Sequence, residues 1–193
     1  MNRIALLAVA VVGTAAFAQT PPVKVRGTIV GLDGDVLTVK SKDGTEKKVE
    51  LAKDATVAVA QKTTLAEIKP GTLVGSTAVK GKDGKLVARE VHTIPPQAPQ
   101  GHMPWDTEPG ATMTNANLTG VAKASGGEEI TLQYKDGEQK IIVPKGTPVL
   151  TFAPGDRSAL KKGETIFTMA REQDGKLVTG RIQVGKGGVK PAH

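Results

Sequence analysis

The amino-acid sequence predicts an all-β protein built from two copies of one small domain. The Lys-Asp-Gly turn at residues 42–44 returns at residues 135–137, and the run Asp-Gly-Lys-Leu at 83–86 returns at 174–177. Around these turns, short segments alternate apolar and polar residues and end at glycine, which is typical of half-buried strands. A pattern that returns at a nearly constant offset indicates a duplicated structural unit.

The first copy, residues 23–94, divides into short strands and one helical turn. The pair Asp33-Gly34 predicts a tight hairpin turn, because both residue types tolerate a positive φ. Residues 65–68 are expected to form a single helical turn, which ends before Pro70. The predicted strands of this copy cover residues 23–30, 36–39, 47–51, 57–59, 73–80 and 86–94.

The second copy, residues 118–185, repeats this order, with Gly27 matched to Gly120 and a helical turn at residues 158–161. Its predicted strands lie near residues 118–121, 130–132, 141–143, 149–152, 166–169 and 177–184. Five or six strands, with one helical turn before the last pair, favour a small OB-like β-barrel whose closure protects the strand edges. We therefore predict two tandem OB-like barrels.

Two sets of motifs resemble known exported proteins. The run at residues 25–30 with the Asp-Gly that follows it, and the closing run at 83–91, resemble exported OB-like domains of unknown function that are common in proteobacteria. The segments 103–106 and 113–117 are similar to a narrower group, some of whose members carry automatic names that link them to metal transport. The resemblance implies exported tandem barrels and no established activity.

Residues 1–18 are predicted to be a signal peptide. Arg3 supplies a positive charge, residues 4–15 form a short apolar run, and the small residues Ala16 and Ala18 follow at the positions that a signal peptidase reads. The run is shorter than the roughly 20 apolar residues that a membrane-spanning helix needs. We therefore expect a periplasmic or secreted protein without a transmembrane segment in the mature chain. The chain has no cysteine, so disulfides are not expected to stabilise it.

The basic residues are spread among the predicted turns, and the formal net charge is +7. A dispersed excess of this kind favours solubility, and attraction to an anionic envelope surface is the alternative. The partners expected from this pattern and from export are an envelope protein, a glycan or a lipid.

Residue types that carry catalysis are sparse. None of the four serines lies in a Gly-x-Ser-x-Gly turn, and no nucleophile with a neighbouring base can be named, so we predict that the protein is not an enzyme. Nucleic acid is not an expected partner either, because the first copy has no aromatic side chain on which bases could stack. Phe152 and Phe167 of the second copy are expected to fill its core.

Residues 95–117 differ in composition from both copies. Their five prolines predict an extended, semi-rigid linker without regular sheet. Trp105, the only tryptophan, is expected either to pin this linker to a barrel or to line a binding surface, with Asp106 and Met113 beside it. Residues 186–193 are predicted to be a flexible tail.

His102 and Met103 of the linker, with His92 at the end of a strand, form a candidate metal site. Their imidazole and thioether groups suit copper or another divalent metal. No His-x₃-His pair, Met-rich repeat or cysteine pair accompanies them, so no cofactor is expected outside this site. The sequence thus predicts a non-catalytic exported binding module, with a periplasmic metal-binding accessory protein as the alternative.

Overall fold

The computed structural model describes residues 21–191 as twelve strands and two 3₁₀ turns. The predicted signal peptide lies outside this part of the chain, as do residues 192 and 193. No helix within it is long and apolar enough to cross a lipid bilayer. The strands are β1 (Val23–Asp33), β2 (Val36–Lys40), β3 (Glu46–Lys62), β4 (Leu73–Lys80), β5 (Leu86–Thr93), β6 (Gly101–Pro104), β7 (Thr112–Ala124), β8 (Gly127–Tyr134), β9 (Gly137–Pro144), β10 (Val149–Gly155), β11 (Thr165–Gln173) and β12 (Lys176–Gly185).

Local turn chemistry explains several element boundaries. Asp33 pairs with Val36 across the β1–β2 turn, where Gly34 has a φ of 57°, so the predicted hairpin is confirmed. The predicted helical turn of the first copy is the 3₁₀ turn Leu65–Glu67. It is capped by the Glu67 carboxylate, which accepts a hydrogen bond of 2.9 Å from the backbone N–H of Thr64. The second copy has the matching 3₁₀ turn Arg157–Ala159.

Strand pairing closes two five-stranded rings. The first ring runs β1–β2–β3–β12–β11 and returns to β1. The second ring runs β7–β8–β9–β5–β4 and returns to β7. In each ring one pair is parallel, β3 with β12 and β9 with β5, and the other pairs are antiparallel. The prediction of an all-β protein with a closed five-stranded barrel is therefore confirmed.

Each ring takes three strands from one copy and its last hairpin from the other copy. The β11–β12 hairpin closes the first ring, and the β4–β5 hairpin closes the second. The linker at 95–117 thus separates the two repeats, residues 23–94 and 118–185, but it does not separate the two rings. Alternation of apolar residues indicates which face of a strand is buried and not which strand lies beside it, so the sequence did not reveal this exchange.

Each ring encloses an aliphatic core that both copies build. In the first ring, Ile29 of the first copy and Ile182 of the second are fully buried in one cluster. In the second ring, Val74 of the first copy packs with Ile130 of the second. Fully burying an aliphatic side chain of this size contributes about 1.5–3 kcal/mol. Because both cores are shared, most of this stabilisation requires the two copies together.

The register of the first strand in each ring corrects one match made from the sequence. Gly31 pairs with Thr38, and Gly120 pairs with Thr131, each directly after a bulge. Gly31, and not Gly27, is therefore the counterpart of Gly120. The sequence offset was misleading because the β7–β8 hairpin is four residues longer than the β1–β2 hairpin, with its last pair at 124 and 127.

The linker and the tail are more ordered than the sequence suggests. Within the linker, β6 pairs with residues 112–115 of β7, so the prediction that the prolines exclude regular sheet is wrong at this point. Pro104 is tolerated because it ends the four-residue strand. In the described part of the tail, Val189 is buried and its carbonyl accepts a hydrogen bond of 3.0 Å from the Thr165 hydroxyl.

Candidate functional site

A basic cleft runs along the first half of β1 and has a volume of about 490 Å³. Its walls come from β1, from the chain that follows β2, from the start of β11 and from the linker. We call it the basic cleft and define it by its charged lining. Five basic residues and two acidic residues line it, namely Lys24, Arg26, Lys40, Lys42, Lys190, Asp43 and Asp106.

Strand geometry gathers these cations from distant points in the sequence. Lys24 and Arg26 are two residues apart on β1, so their side chains leave the same face. Gly27 then lets β1 pass close to the end of β2, because a Cβ at this position would clash with the carbonyl oxygen of Lys40. The close approach brings Lys40 and Lys42 to the same cleft as the two β1 cations.

The linker is fixed to the outer face of the first ring by Trp105. The Lys24 ammonium lies 3.8 Å from the centre of the Trp105 ring, within the range of a cation–π interaction. The Phe167 ring of β11 lies on the same face, with its centre 6.4 Å from that of Trp105. These contacts match the expectation that Trp105 pins the linker to a barrel, and they place it at the rim of the basic cleft.

Asp106 extends this attachment through its carboxylate. The Arg26 guanidinium donates two hydrogen bonds to the two carboxylate oxygens, of 2.8 and 3.2 Å. The Lys24 ammonium lies 3.2 Å from Oδ1. Partial burial raises the pKa of Asp106, but the hydrogen bonds and charges of Arg26 and Lys24 outweigh it and lower the pKa to about 2. The two cations are thus already arranged to hold an anionic group at two points.

Positive charge and hydroxyl groups dominate the chemistry of the cleft lining. The cleft has no histidine or cysteine among its lining residues. Its two carboxylates are engaged, Asp106 with Arg26 and Asp43 with Thr45, whose backbone N–H donates a hydrogen bond of 3.0 Å. That hydrogen bond lowers the pKa of Asp43. The residues that remain offer positive charge and the hydroxyl groups of Thr28 and Ser41.

A second polar cluster is buried on the outer face of the second ring. His92 Nδ1 lies 2.9 Å from Glu90 Oε1, and both side chains are almost completely buried. The distance fits an ion pair, whereas the direction of the Nδ1–H does not fit a hydrogen bond. The imidazole packs edge-on against Phe152 and lies over Gly75, where a Cβ would come within 2.6 Å of Nε2. This pair is enclosed by protein and does not open into the basic cleft.

The structure divides the predicted metal ligands between two faces of a sheet. His102 and Met103 are neighbours on β6, so their side chains point in opposite directions. The His102 Nδ1 lies 2.8 Å from the Thr114 hydroxyl, and burial and then the charge of Lys80 lower its pKa. Met103 instead lies on the same face of the sheet as Met113, its partner on β7. Glu90 and His92 of β5 lie on this face too, on the far side of β4.

The three-residue set His102, Met103 and His92 is therefore not brought together. Within residues 21–191, no three histidine, aspartate, glutamate or cysteine side chains are grouped so that they could hold a metal ion. Met103 and Met113 pair directly across β6 and β7, and His92 lies on the same face but two strands away from Met113, on β5.

Of the three residues proposed for binding, the cleft includes Asp106 and has Trp105 at its rim. Met113 is buried in β7, with 3% of its surface exposed, and belongs to the second ring. Sequence reasoning missed Lys24, Arg26, Lys40 and Lys42. The run Lys-Val-Arg at 24–26 carried a usable signal, since alternate cations on a strand share one face.

The aromatic residues of the second copy also lie elsewhere than expected. Phe167 is on the outside of the first ring, under the linker, because β11 belongs to that ring. Phe152 packs in a separate cluster with Leu150 and Val189. The expectation that both fill the second core is wrong, because it assumed that each copy forms its own barrel.

Comparisons with known proteins give no analogue for this site. No family model matches the chain, and neither the curated proteins nor the solved structures include a significant match.

Proposed function

We propose that this protein is a non-catalytic binding module of the cell envelope that holds an anionic group of an envelope component in the basic cleft. The observation that carries the proposal is the charge of the cleft, where five basic residues meet two acidic ones and leave a net charge of +3. The envelope location rests on the signal-peptide pattern of residues 1–18. An envelope protein, glycan or lipid that carries carboxylate or phosphate groups has the required charge.

The construction of the cleft supports binding by charge. Lys24, Arg26 and Lys40 belong to strands of a closed ring, so the backbone from which they project is held by hydrogen bonds on β1 and β2. Arg26 already holds the Asp106 carboxylate at two points, so Lys40, Lys42 and Lys190 carry the positive charge that a ligand would meet. Exposed charges at such a cleft raise the rate of association with anions and lose strength as salt increases.

The architecture also supports a binding function. The OB-like interpretation of each ring rests on three consecutive strands, a 3₁₀ turn and a closing hairpin, with the hairpin supplied by the other copy. OB-like barrels serve as binding modules for oligosaccharides and oligonucleotides. No aromatic residue lines the cleft itself, and Trp105 at its rim is covered by Lys24, which favours an anionic ligand other than nucleic acid.

The proposal is tested by titration with three anionic probes. Inorganic pyrophosphate, phosphatidylglycerol vesicles and a glutamate-rich peptide are added separately, and Trp105 fluorescence reports binding because it is the only tryptophan. We expect at least one probe to bind and Lys40→Gln with Lys42→Gln to weaken it about tenfold, or about 1.4 kcal/mol.

The matched control is Lys123→Gln with Lys145→Gln, which removes the same charge from exposed positions of the second copy. Equal affinity of the two double variants for every probe, or no binding of any probe, would contradict the proposal.

A second candidate function is a periplasmic metal-binding accessory protein. The observation that favours it is the cross-strand pair of Met103 on β6 and Met113 on β7. Thioether and imidazole groups are the ligands that Cu(I) accepts. Titration with Cu(I) should then show a site that Met103→Leu with Met113→Leu removes and His102→Asn leaves intact, because His102 lies on the opposite face. Loss with His102→Asn alone, or no site at all, counts against it.

A further inference from the structure

The two rings are built from matching strands, and the match identifies equivalent positions. Gly27 pairs with Ile166 in the first ring, and Ala116 pairs with Val74 in the second. Since Val74 and Ile166 are corresponding core residues of the two closing hairpins, residues 23–26 of β1 correspond to residues 112–115 of β7.

The second ring has a strand at this position that the first ring lacks. β6 pairs with residues 112–115 of β7, on the side away from β4. In the first ring, residues 23–26 pair with β11, which corresponds to β4. Among residues 21–191, no strand pairs with residues 23–26 of β1 on the side away from β11.

The basic cleft occupies the place where that strand would lie. β2 leaves β1 after the pair Thr28–Lys40, and the cleft is lined by residues 24–28 and by residues 40–43 beyond that point. In the second ring, β8 leaves β7 after the pair Asn117–Gln133, and β6 continues beside β7 from there. The cleft is thus a strand position in the first ring, open along β1.

The charge of this position specifies the chemistry of its occupant. β6 spans four residues, or about 13 Å at roughly 3.3 Å per residue. A strand of that length beside β1 would pass Lys40, Lys42 and Lys190 of the lining. The contact between Arg26, Lys24 and the Asp106 carboxylate shows that a carboxylate fits cations of this cleft. Acidic side chains at alternate positions of an extended peptide would meet this surface.

We propose that the cleft takes an extended acidic segment of a partner protein, which adds to β1 as a strand in the way that β6 adds to β7. Main-chain hydrogen bonds to β1 supply affinity, and the cations select acidic side chains, as in other cases of strand addition. This inference rests on the proposed function, because it names the partner of the same cleft.

The test uses the whole chain and an eight-residue peptide in which glutamate and valine alternate. Two further peptides carry N-methyl groups, one on the amides of the odd positions and one on those of the even positions. Only one set of amides can face β1, so we expect one methylated peptide to bind at least tenfold more weakly and the other to bind like the parent. Amide exchange in residues 23–27 should slow on binding of the parent peptide.

The outcomes separate this inference from the proposed function. Equal binding of both methylated peptides, with pyrophosphate binding that still depends on Lys40 and Lys42, overturns strand addition and leaves the anion site standing. If phosphatidylglycerol vesicles and pyrophosphate bind but the peptide does not, strand addition is also overturned, and the ligand is a lipid headgroup. If neither the peptide nor any small anion binds, both proposals fall.

Discussion

Asp106 links the linker to the basic cleft through one carboxylate, which makes it the residue with the clearest pH dependence. Its pKa of about 2 lies below the ordinary value of 3.8, so folding favours the charged form. The resulting stabilisation is present above pH 4 and is lost as the pH falls through about 2. Half of the side chain is exposed, so solvent screening limits the effect to about 1 kcal/mol.

Asp106→Asn should therefore reduce the loss of unfolding free energy at acidic pH. Between pH 5 and pH 2, we expect the free energy of unfolding of the native chain to fall by about 1 kcal/mol more than that of the variant. Urea denaturation at the two pH values measures this difference. Asp136→Asn, in an exposed turn, is the control, and a variant at 106 that loses stability in parallel with it would contradict the assignment.

Gly75 is a second position where adding a single carbon atom is expected to change the stability of the protein. A Cβ there would lie 2.6 Å from His92 Nε2, whose ring is buried and cannot move aside. Gly75→Ala is expected to lower the free energy of unfolding by about 1–3 kcal/mol, the usual cost of overpacking. Gly31→Ala adds a methyl where nothing lies within 4 Å. Equal stability of the two variants in thermal denaturation would show that the His92 ring is not held over Gly75.

At the scale of elements, the linker is a structural strap between the rings. Asp106 binds Arg26 of the first ring, and the Glu108 carboxylate accepts a 2.7 Å hydrogen bond from Arg89 of β5 in the second. Directly before Trp105 in the chain, β6 adds a short strand to β7. The linker therefore contributes to the walls and the rigidity of the basic cleft.

Removing the Trp105 ring should loosen this strap. Trp105→Ala removes the cation–π contact with Lys24 and the packing on Phe167, each of which contributes on the order of 1 kcal/mol. We expect hydrogen exchange at the Ala111 amide, which donates a hydrogen bond to the Glu108 carbonyl, to become about tenfold faster, since the rate follows the open population. Tyr134→Ala removes an aromatic side chain from β8 and should leave this exchange rate unchanged. No acceleration in the Trp105 variant would mean that the ring does not hold the strap.

The sequence predicted where most strands and turns lie, but it did not predict which strands pair with one another. Asp33-Gly34 predicted the β1–β2 turn, because positive φ is a local requirement. The cleft was missed because its cations lie on β1, after β2 and in the tail, and only the close passage at Gly27 brings them together. Nothing local in the sequence distinguishes a hairpin that closes its own ring from one that closes the other.

At the scale of the whole molecule, the exchange of hairpins makes the two copies interdependent. Six strand pairs join the copies across the linker, namely β1–β11, β3–β12, β3–β10, β5–β10, β4–β7 and β5–β9. Neither ring is complete within one copy. The linker should thus be dispensable for holding the halves together once they have folded.

A protease site inserted after Gln97, in an exposed part of the linker, tests this interdependence. After cleavage, the two fragments should co-elute from a sizing column in buffer and unfold in a single urea transition, because both cores are shared. The native chain, which lacks the inserted site, is treated with the same protease as the control. Fragments that separate in buffer as two folded species would show that each copy closes its own barrel.

The central claim is that the basic cleft is where this protein binds its ligand, and amide chemical shifts measure that location most directly. Inorganic pyrophosphate added to the isotope-labelled chain should give its largest shifts at Gly27, Thr28, Ser41 and Lys42, with saturation that weakens as salt rises. Uniformly small shifts, or the largest shifts on the second ring around Lys80 and Lys140 at the other cleft, would contradict the claim.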